Sequence, residues 1–322
     1  MQLNLQTCVA LLSPVAVTLT TAMPANLPPG QGLKLSALPA LPDPNFRYVA
    51  AYRKPDISFT ASTMACVAAM RDLAFLDIDS YLGSKKSWTH AGYPGVSVTV
   101  EGEGGTRSTV RFAMWLIQAG IRDIMLRERY ETSVFSGWYR EVKIGRVSFN
   151  RHHHASAQGP QIAGDAVAEI HSSGFSFDLQ LSSTSGSITS DDKLHVQVEH
   201  LDKAVDKRDI FFAIIWLLMT LASHHEHEPL HAFHCSLMAP TAEVRTIWNT
   251  VVRPGSEAYL LRVADLVNML AHLAVVLLRD NKYQEMNLII SEGEVEIARG
   301  AIRTRPLPRG LAMPLTSNVT IS

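Results

Sequence analysis

The 322-residue sequence has no excess of charge of either sign. Its 29 Lys and Arg residues nearly balance its 30 Asp and Glu residues, and basic residues form no long run. A protein that binds nucleic acid needs Lys and Arg to neutralise backbone phosphates, so nucleic acid is not an expected partner. Hydrophobic residues make up 47% of the chain, which indicates a globular protein with a large core.

Motifs of nucleophilic catalysis and of membrane insertion are also missing. The sequence has no Gly-x-Ser-x-Gly, and Cys66 lies in an apolar stretch, so a serine or cysteine hydrolase is not expected. The apolar run 210–222 is too short to cross a bilayer. The longer segment 258–278 contains several charged and polar residues, so no transmembrane anchoring is expected.

Cysteine is scarce, with three residues in the chain. The first 22 residues have the apolar centre and small-residue end of a secretory signal, although Met1–Thr7 contains no Lys or Arg. This pattern predicts a secreted or secretory-pathway protein. Cleavage would remove Cys8 and leave Cys66 and Cys235, which either form a disulfide between the halves or remain as two buried thiols.

The most informative feature is an internal repeat with an offset that drifts from 148 to 153 residues. A repeat this long that occurs only twice predicts a duplicated domain with pseudo-two-fold symmetry. Four pairs of features recur: strands at 47–52 and 195–200, N-caps at Thr60 and Asp209, helix starts at Arg111 and Arg262, and final strands Val142-x-Ile144-x-Arg146 and Val295-x-Ile297-x-Arg299.

Each half reads as βαβαββ, which predicts an α+β fold with helices packed on mainly antiparallel sheets. The predicted organisation is a signal at 1–22, a Pro-rich segment at 23–44, repeat one at 45–150, a linker at 151–193, repeat two at 194–305 and a tail at 306–322. The linker is rich in Gly and Ser, and its segment 175–181 alternates like an extra strand.

One face of the helix predicted over 258–278 is polar. Asp265, Asn268 and His272 follow one another at three and four residues, so a helix places them together. At a cleft, Asp265 and His272 would form an acid–base set that Asn268 orients; in water, the three would be an ordinary polar stripe. When Arg111 of repeat one is aligned with Arg262 of repeat two, repeat one has apolar residues at the three positions: Met114, Ile117 and Ile121.

A second cluster of polar groups lies in the histidine-rich segment SHHEHEPLHAFH. His225, His227 and His231 are the candidates there for a zinc or copper site. The other interpretation is a solvated loop whose histidines titrate, and the expectation is that the protein needs no metal and no cofactor.

The stretches FRYVAAYRKPDISFTASTMACVAAMRDLAFLDID and RFAMWLIQAGIRDIMLRERYETSVFSGWYREVKIGRVSF resemble uncharacterised secreted proteins of filamentous fungi. Accessory proteins of fungal polyketide gene clusters are similar in combining a signal with an α/β pattern. The resemblance implies a fungal, secretory context and a role in natural-product ring formation. It supplies no catalytic residue.

Two functions remain as hypotheses. The first is a protein that binds a small, largely apolar ligand in a cleft between its halves; as an enzyme it would be a cofactor-independent cyclase or isomerase. The second is a non-catalytic extracellular interaction or effector protein. Its contact candidates are Trp88, Tyr93, Trp138 and Tyr139, which otherwise cover the sheet edges. The sequence leaves open whether the protein associates with a second copy or with another protein.

Overall fold

A computed structural model describes residues 45–83, 85–103, 108–151, 186–190, 194–230, 232–251, 261–292 and 295–306. The predicted signal at 1–22, the Pro-rich segment at 23–44, the strand expected at 175–181 and most of the predicted tail lie outside the described residues. Within the described part, no helix combines the length and the apolarity needed to cross a membrane.

The first half has the order βαββαββ. Its elements are β1 (Phe46–Asp56), α1 (Phe59–Ala74), β2 (Lys85–His90), β3 (Tyr93–Gly102), α2 (Val110–Arg127), β4 (Glu131–Tyr139) and β5 (Val142–Arg151).

The second half repeats this order after one additional strand. Its elements are β6 (Gly186–Ser190), β7 (Leu194–Ala204), α3 (Lys207–Leu221), β8 (Ala232–Met238), β9 (Ala242–Thr250), α4 (Val263–Asp280), β10 (Gln284–Glu292) and β11 (Val295–Pro306).

Both sheets are antiparallel and share one strand order. The first sheet is β1-β4-β5-β3-β2, and the second is β6-β7-β10-β11-β9-β8, which becomes equivalent when β6 is removed. The predicted α+β fold with duplicated halves is therefore confirmed. Each half has one strand more than the predicted βαβαββ. In the first half β2 was not predicted, and in the second half the strand expected around Cys235 is followed by a second strand, so that β8 and β9 form a pair. Residues 186–190, expected in the flexible linker, pair with β7 as strand β6.

The duplication extends to a β-bulge. The register between β4 and β5 shifts at Ile144, and the register between β10 and β11 shifts at Ile297, 153 residues later. Gly145 follows the first bulge with φ of 153°, and a Cβ there would lie 2.6 Å from the carbonyl oxygen of Glu101. Only glycine fits this backbone. The second half has Ala298 at the equivalent position, where φ is not positive.

The four helices lie between the two sheets. Helices α1 and α2 contact the first sheet, α3 contacts β9 and α4 contacts β6 of the second sheet, and α1 contacts both α3 and α4. The buried side chains of both halves form one continuous hydrophobic core. Helix α3 is apolar around its whole circumference because it packs on three helices as well as on a sheet.

The helix starts differ from the predicted ones. Ser58, not Thr60, is the N-cap of α1, and its hydroxyl accepts a hydrogen bond from the Ala61 N–H. Asp206, not Asp209, is the N-cap of α3 and accepts from the Arg208 N–H at 2.8 Å. The observed caps are 148 residues apart and the predicted ones 149, so the error changes the residues and leaves the repeat in place.

Asp209 lies in the first turn of α3 and has a different role. Its buried carboxylate accepts hydrogen bonds from the backbone N–H of Thr241 at 2.8 Å and from the Thr241 hydroxyl at 2.5 Å. Burial raises the pKa of Asp209, and the bonds from Thr241 oppose that shift. The contact ties α3 to the turn between β8 and β9.

Cys66 and Cys235 are free, buried thiols. Cys66 lies in α1, and burial raises its pKa well above the usual range. Cys235 lies in β8, where burial raises its pKa to about 12. Of the two alternatives that the sequence left open, the structure therefore has the buried thiols and not the disulfide.

Candidate functional site

Among the described residues, the contact between the halves is packed with side chains. An aromatic row crosses it, from Tyr130 to Phe59 to Phe211 to Tyr283, with ring centroids 5.5, 6.0 and 6.0 Å apart. At one end, Arg208 of α3 forms an ion pair with Glu128 at the end of α2. The described part of this interface thus stabilises the fold by packing.

Helix α4 carries the three predicted catalytic residues, but they do not converge. The Asp265 carboxylate accepts a hydrogen bond from the Arg262 N–H at 3.0 Å and so caps the helix start. His272 donates from Nδ1 to the Asn268 carbonyl oxygen at 2.8 Å. Asp265 and His272 are seven residues apart, about 10 Å along the helix axis, which is too far for one acid–base set. Their catalytic role remains a prediction.

The predicted equivalence of Arg111 and Arg262 is wrong. Helices α2 and α4 both have 18 residues and end at left-handed Glu128 and Asn281, 153 residues apart. Thr109, not Arg111, is therefore equivalent to Arg262. The correct counterparts of Asp265, Asn268 and His272 are Phe112, Trp115 and Ala119, in place of Met114, Ile117 and Ile121.

His272 lies near two groups of the first half. Burial is the main cause that lowers the pKa of both His272 and His90, and the positive charge of Arg71 lowers both further. The charge of His272, across the interface between the halves, also lowers the pKa of His90. Nδ1 of His90 accepts the Gly92 N–H at 3.1 Å, so its neutral form carries the proton on Nε2.

We expect stability to fall as the pH drops below about 6.5, the ordinary pKa of histidine. A folded-state pKa below the unfolded value means that the neutral form is favoured in the fold. The two neutral histidines therefore contribute fully to the stability of the fold above the unfolded pKa, and this contribution is lost as the pH falls through the lower folded pKa. Melting temperatures of the wild type, His90→Gln and His272→Gln, measured from pH 7.5 to 5, test this.

Both variants should lose less stability on acidification than the wild type. His227→Gln is the matched control because the His227 side chain is 75% exposed, and its profile should follow the wild type. Equal pH profiles for all four proteins would contradict the expectation.

The histidine-rich segment forms no metal site among the described residues. His227, Glu228 and His231 do fit the spacing His-Glu-x-x-His, which holds zinc when both histidines lie on one face of a helix. Residues 225–230 form no helix, and Pro229 lies between the two histidines. His227 pairs with Glu226 at 3.3 Å, His225 donates its backbone N–H to Glu228, and His231 lies outside the described residues.

The four aromatic contact candidates are mostly part of the packing. Trp88 is buried, and Tyr139 contacts the rings of Phe112 and Trp115. Tyr93 is half-buried beside His90, with ring centroids 5.4 Å apart, and Trp138 is half-buried. These positions favour the second interpretation of the four residues, in which their rings cover the edges of the sheets.

An open pocket of about 260 Å³ lies elsewhere, on the outer face of the second sheet, away from the helices. Its floor is apolar and includes Ile247, Ile289 and Ala301. Its polar side chains come from four neighbouring strands: Glu199, Asn249, Asn287 and Arg299. Helix α4 packs against the opposite face of this sheet, on Trp248 and Leu288, so the predicted residues of α4 do not line the pocket.

A hydrogen-bonded chain orders the polar side of the pocket. The Asn287 amide donates to Oε2 of Glu199 at 2.8 Å, and its carbonyl oxygen accepts from Arg303. Arg299 is held by Glu296, with 2.9 Å between Nη2 and Oε2. The second carboxylate oxygen of Glu199 has no basic partner among the described residues.

The equivalent face of the first sheet is built differently. Ala51 pairs with Val134 where Glu199 pairs with Asn287 in the second sheet, at offsets of 148 and 153 residues. There, Arg146 forms an ion pair with Glu101 of the neighbouring strand. The second half has Asn249 at the position of Glu101, and Arg299 turns to Glu296 instead. Because the side chain of Asn249 is shorter than that of glutamate and Arg299 is directed to Glu296, space is left between them for the pocket.

The sequence interpretation missed Glu199, Asn249 and Asn287. Each is one polar residue in an alternating strand, which alone indicates only an exposed face. A usable signal was present, because comparing the strands of the two halves at the offsets of 148 and 153 shows a polar residue in place of Ala51 and of Val134.

No family model matches the chain, and no curated protein matches it in sequence. Among solved structures, it is similar to the tandem DUF26 ectodomain of the Arabidopsis thaliana cysteine-rich receptor-like protein PDLP8, with a TM-score of 0.21 and 10% identity over 78% of this chain and 95% of that chain. A putative thioesterase from Novosphingobium aromaticivorans gives a TM-score of 0.13 and 10% identity over 84% and 100%. These scores support no conclusion about function.

Proposed function

We propose that this protein binds a small, partly apolar molecule in the outer-face pocket of its second sheet. The observation that carries the proposal is the pocket itself, which occurs where the second half departs from the first. A duplicated fold needs the same inward packing in both halves. It does not need Glu199 and Asn287 in place of Ala51 and Val134 on the outer face, so these differences point to an acquired function.

The pocket has the composition of a small-molecule site. Ligand pockets combine an apolar lining with a few polar groups that orient the ligand, and here Ile247 and Ile289 are accompanied by carboxylate, amide and guanidinium groups. The volume of about 260 Å³ is just below the usual range for such pockets, so the ligand must be small. A single-ring molecule with one polar group fits this size.

The proposal is binding without an assigned reaction. A cofactor-free cyclase or isomerase would need an acid or base over the bound ligand. Asp265 and His272 lie on the helix side of the sheet, whereas the pocket lies on its outer side.

Fragment binding followed by NMR tests the proposal. With the isoleucine δ1 methyl groups labelled, fragments of one ring should shift Ile247 and Ile289, while Ile78 in the first half should not move. Ala301→Phe should abolish the shifts because it fills the floor of the pocket. Ala51→Phe is the matched control, since it adds the same ring to the exposed outer face of the first sheet.

Binding retained in Ala51→Phe and lost in Ala301→Phe is the expected result. Fragments that leave both pocket methyl groups unmoved, or that bind equally well to Ala301→Phe, would overturn the proposal.

A further inference from the structure

We infer that the ligand is an organic cation, an ammonium or amidinium group on an apolar body, and that Glu199 is the group that selects it. The inference rests on the proposed function, because it names the ligand class of the same pocket. Two charged groups at the pocket favour a cation: Arg299, which has a carboxylate partner, and Glu199, which has no basic partner among the described residues.

The arginine that lines the pocket, Arg299, is already paired with a carboxylate. Arg303 lies beside the pocket and outside its lining, and it donates to carbonyl oxygens of Met286, Ile302 and Asn287. Arg299 directs both Nε and Nη2 to the Glu296 carboxylate. A bidentate pair of this geometry is the strong form of the arginine–carboxylate contact. An anionic ligand would have to compete with Glu296 for the guanidinium group.

The negative charge at the pocket is not neutralised. Glu199 is exposed, and its one hydrogen bond among the described residues comes from the neutral amide of Asn287, at Oε2. That bond fixes the carboxylate and leaves Oε1 to accept from a ligand. Asn287 is itself oriented by Arg303, so its amide cannot turn without losing that bond.

The apolar side chains of the pocket would contact the apolar part of the ligand. Ile247 of β9 and Ile289 of β10 lie on the same outer face, with Ala301 of β11 between their strands. Ala301 pairs directly with both Ile247 and Asn287. A ring over Ala301 therefore contacts the isoleucines while its charged group reaches towards Glu199.

Three probes of similar size and different charge test the inference on the full chain. They are 2-phenylethylammonium, the neutral 2-phenylethanol and the anionic 3-phenylpropanoate, titrated against the Ile247 and Ile289 methyl signals. The cation should bind about fivefold more tightly than the alcohol at low salt, since an exposed ion pair contributes modestly. The anion should bind most weakly, and the advantage of the cation should shrink in 0.5 M salt.

Glu199→Gln keeps the shape of the side chain and removes its charge. In this variant the cation should lose its advantage, so that the cation and the alcohol bind equally. Equal binding of the cation and the alcohol by the wild type, or tightest binding of the anion, would overturn the inference and leave the pocket as a binding site. If none of the three probes moves either methyl signal, the proposed function fails together with it.

Discussion

Replacing Phe211 with Ala should lower the free energy of unfolding by about 4 kcal/mol. Phe211 is fully buried in α3 and lies in the middle of the aromatic row that joins the halves. The variant loses the ring contacts with Phe59 and Tyr283 and leaves a cavity where two sheets and four helices share one core. Urea unfolding followed by circular dichroism measures the change.

Phe75→Ala is the matched control for this experiment. Phe75 follows α1 and is 36% exposed, so its loss should cost less than about 1 kcal/mol. Phe211→Leu, which keeps most of the volume, should cost about 1.5 kcal/mol. A cost for Phe211→Ala no larger than that for Phe75→Ala would show that the aromatic row does not hold the halves together.

Replacing Asp123 with Ala should lower the free energy of unfolding by about 3 kcal/mol. Asp123 lies in α2 with a fully buried carboxylate, which accepts from the hydroxyls of Tyr52 at 2.5 Å and Tyr48 at 3.3 Å. Nε of Arg127 donates to the same carboxylate at 3.0 Å. Removing the carboxylate leaves three donors without their acceptor, two of them on the edge strand β1.

The cost is set mainly by the two phenols, because Arg127 is 27% exposed and can turn towards water. Burial, followed by the hydrogen bond to Asp123, raises the pKa of Tyr52, so its hydroxyl stays protonated. Asp79→Ala is the control, since that carboxylate is 70% exposed in its pair with Arg111 and its loss should cost about 0.5 kcal/mol. Thermal or urea unfolding in which the two variants lose equal stability would contradict this account.

The hydrogen-bonded group of Asp123, Tyr48 and Tyr52 occurs in the first half and not at the equivalent positions of the second half. Tyr48 and Asp123 correspond to Val196 and Val276 in the second half, at offsets of 148 and 153 residues. There, β6 extends the sheet beyond β7 and contacts α4. An edge strand held by a polar network in one half is thus covered by an added strand in the other.

Much of the fold could be predicted because duplication makes weak signals appear twice. The final strands with Val142 and Val295 and the N-caps, each found within three residues, were recognisable from their common spacing. Strand β2 was not, since KKSWTH is short and mixes polar with apolar residues. Its strand character comes from pairing with β3, which a single segment cannot show.

The candidate site was harder to predict than the fold for a physical reason. Glu199 and Asn249 lie on β7 and β9, and Asn287 and Arg299 lie on the β10–β11 hairpin. These three parts of the sequence are distant in the chain, and only the register of the sheet brings them together. The polar stripe on α4 was easier to see because a helix groups residues three and four positions apart. The spacing along the helix therefore favoured Asp265 and His272, each of which has a hydrogen bond to the backbone of its own helix or helix start.

The placement of all four helices between the sheets has a consequence for the origin of the chain. Tyr130 and Tyr283, at the two ends of the aromatic row, are equivalent at the offset of 153 residues, as in a contact of a two-fold homodimer. Between them the halves have diverged, because Phe59 corresponds to Lys207 and Phe211 to Thr63 at the offset of 148 residues. In a homodimer every substitution appears in both subunits at once. Joining the subunits into one polypeptide removes that constraint, so one copy can keep Ala51 while the other acquires Glu199.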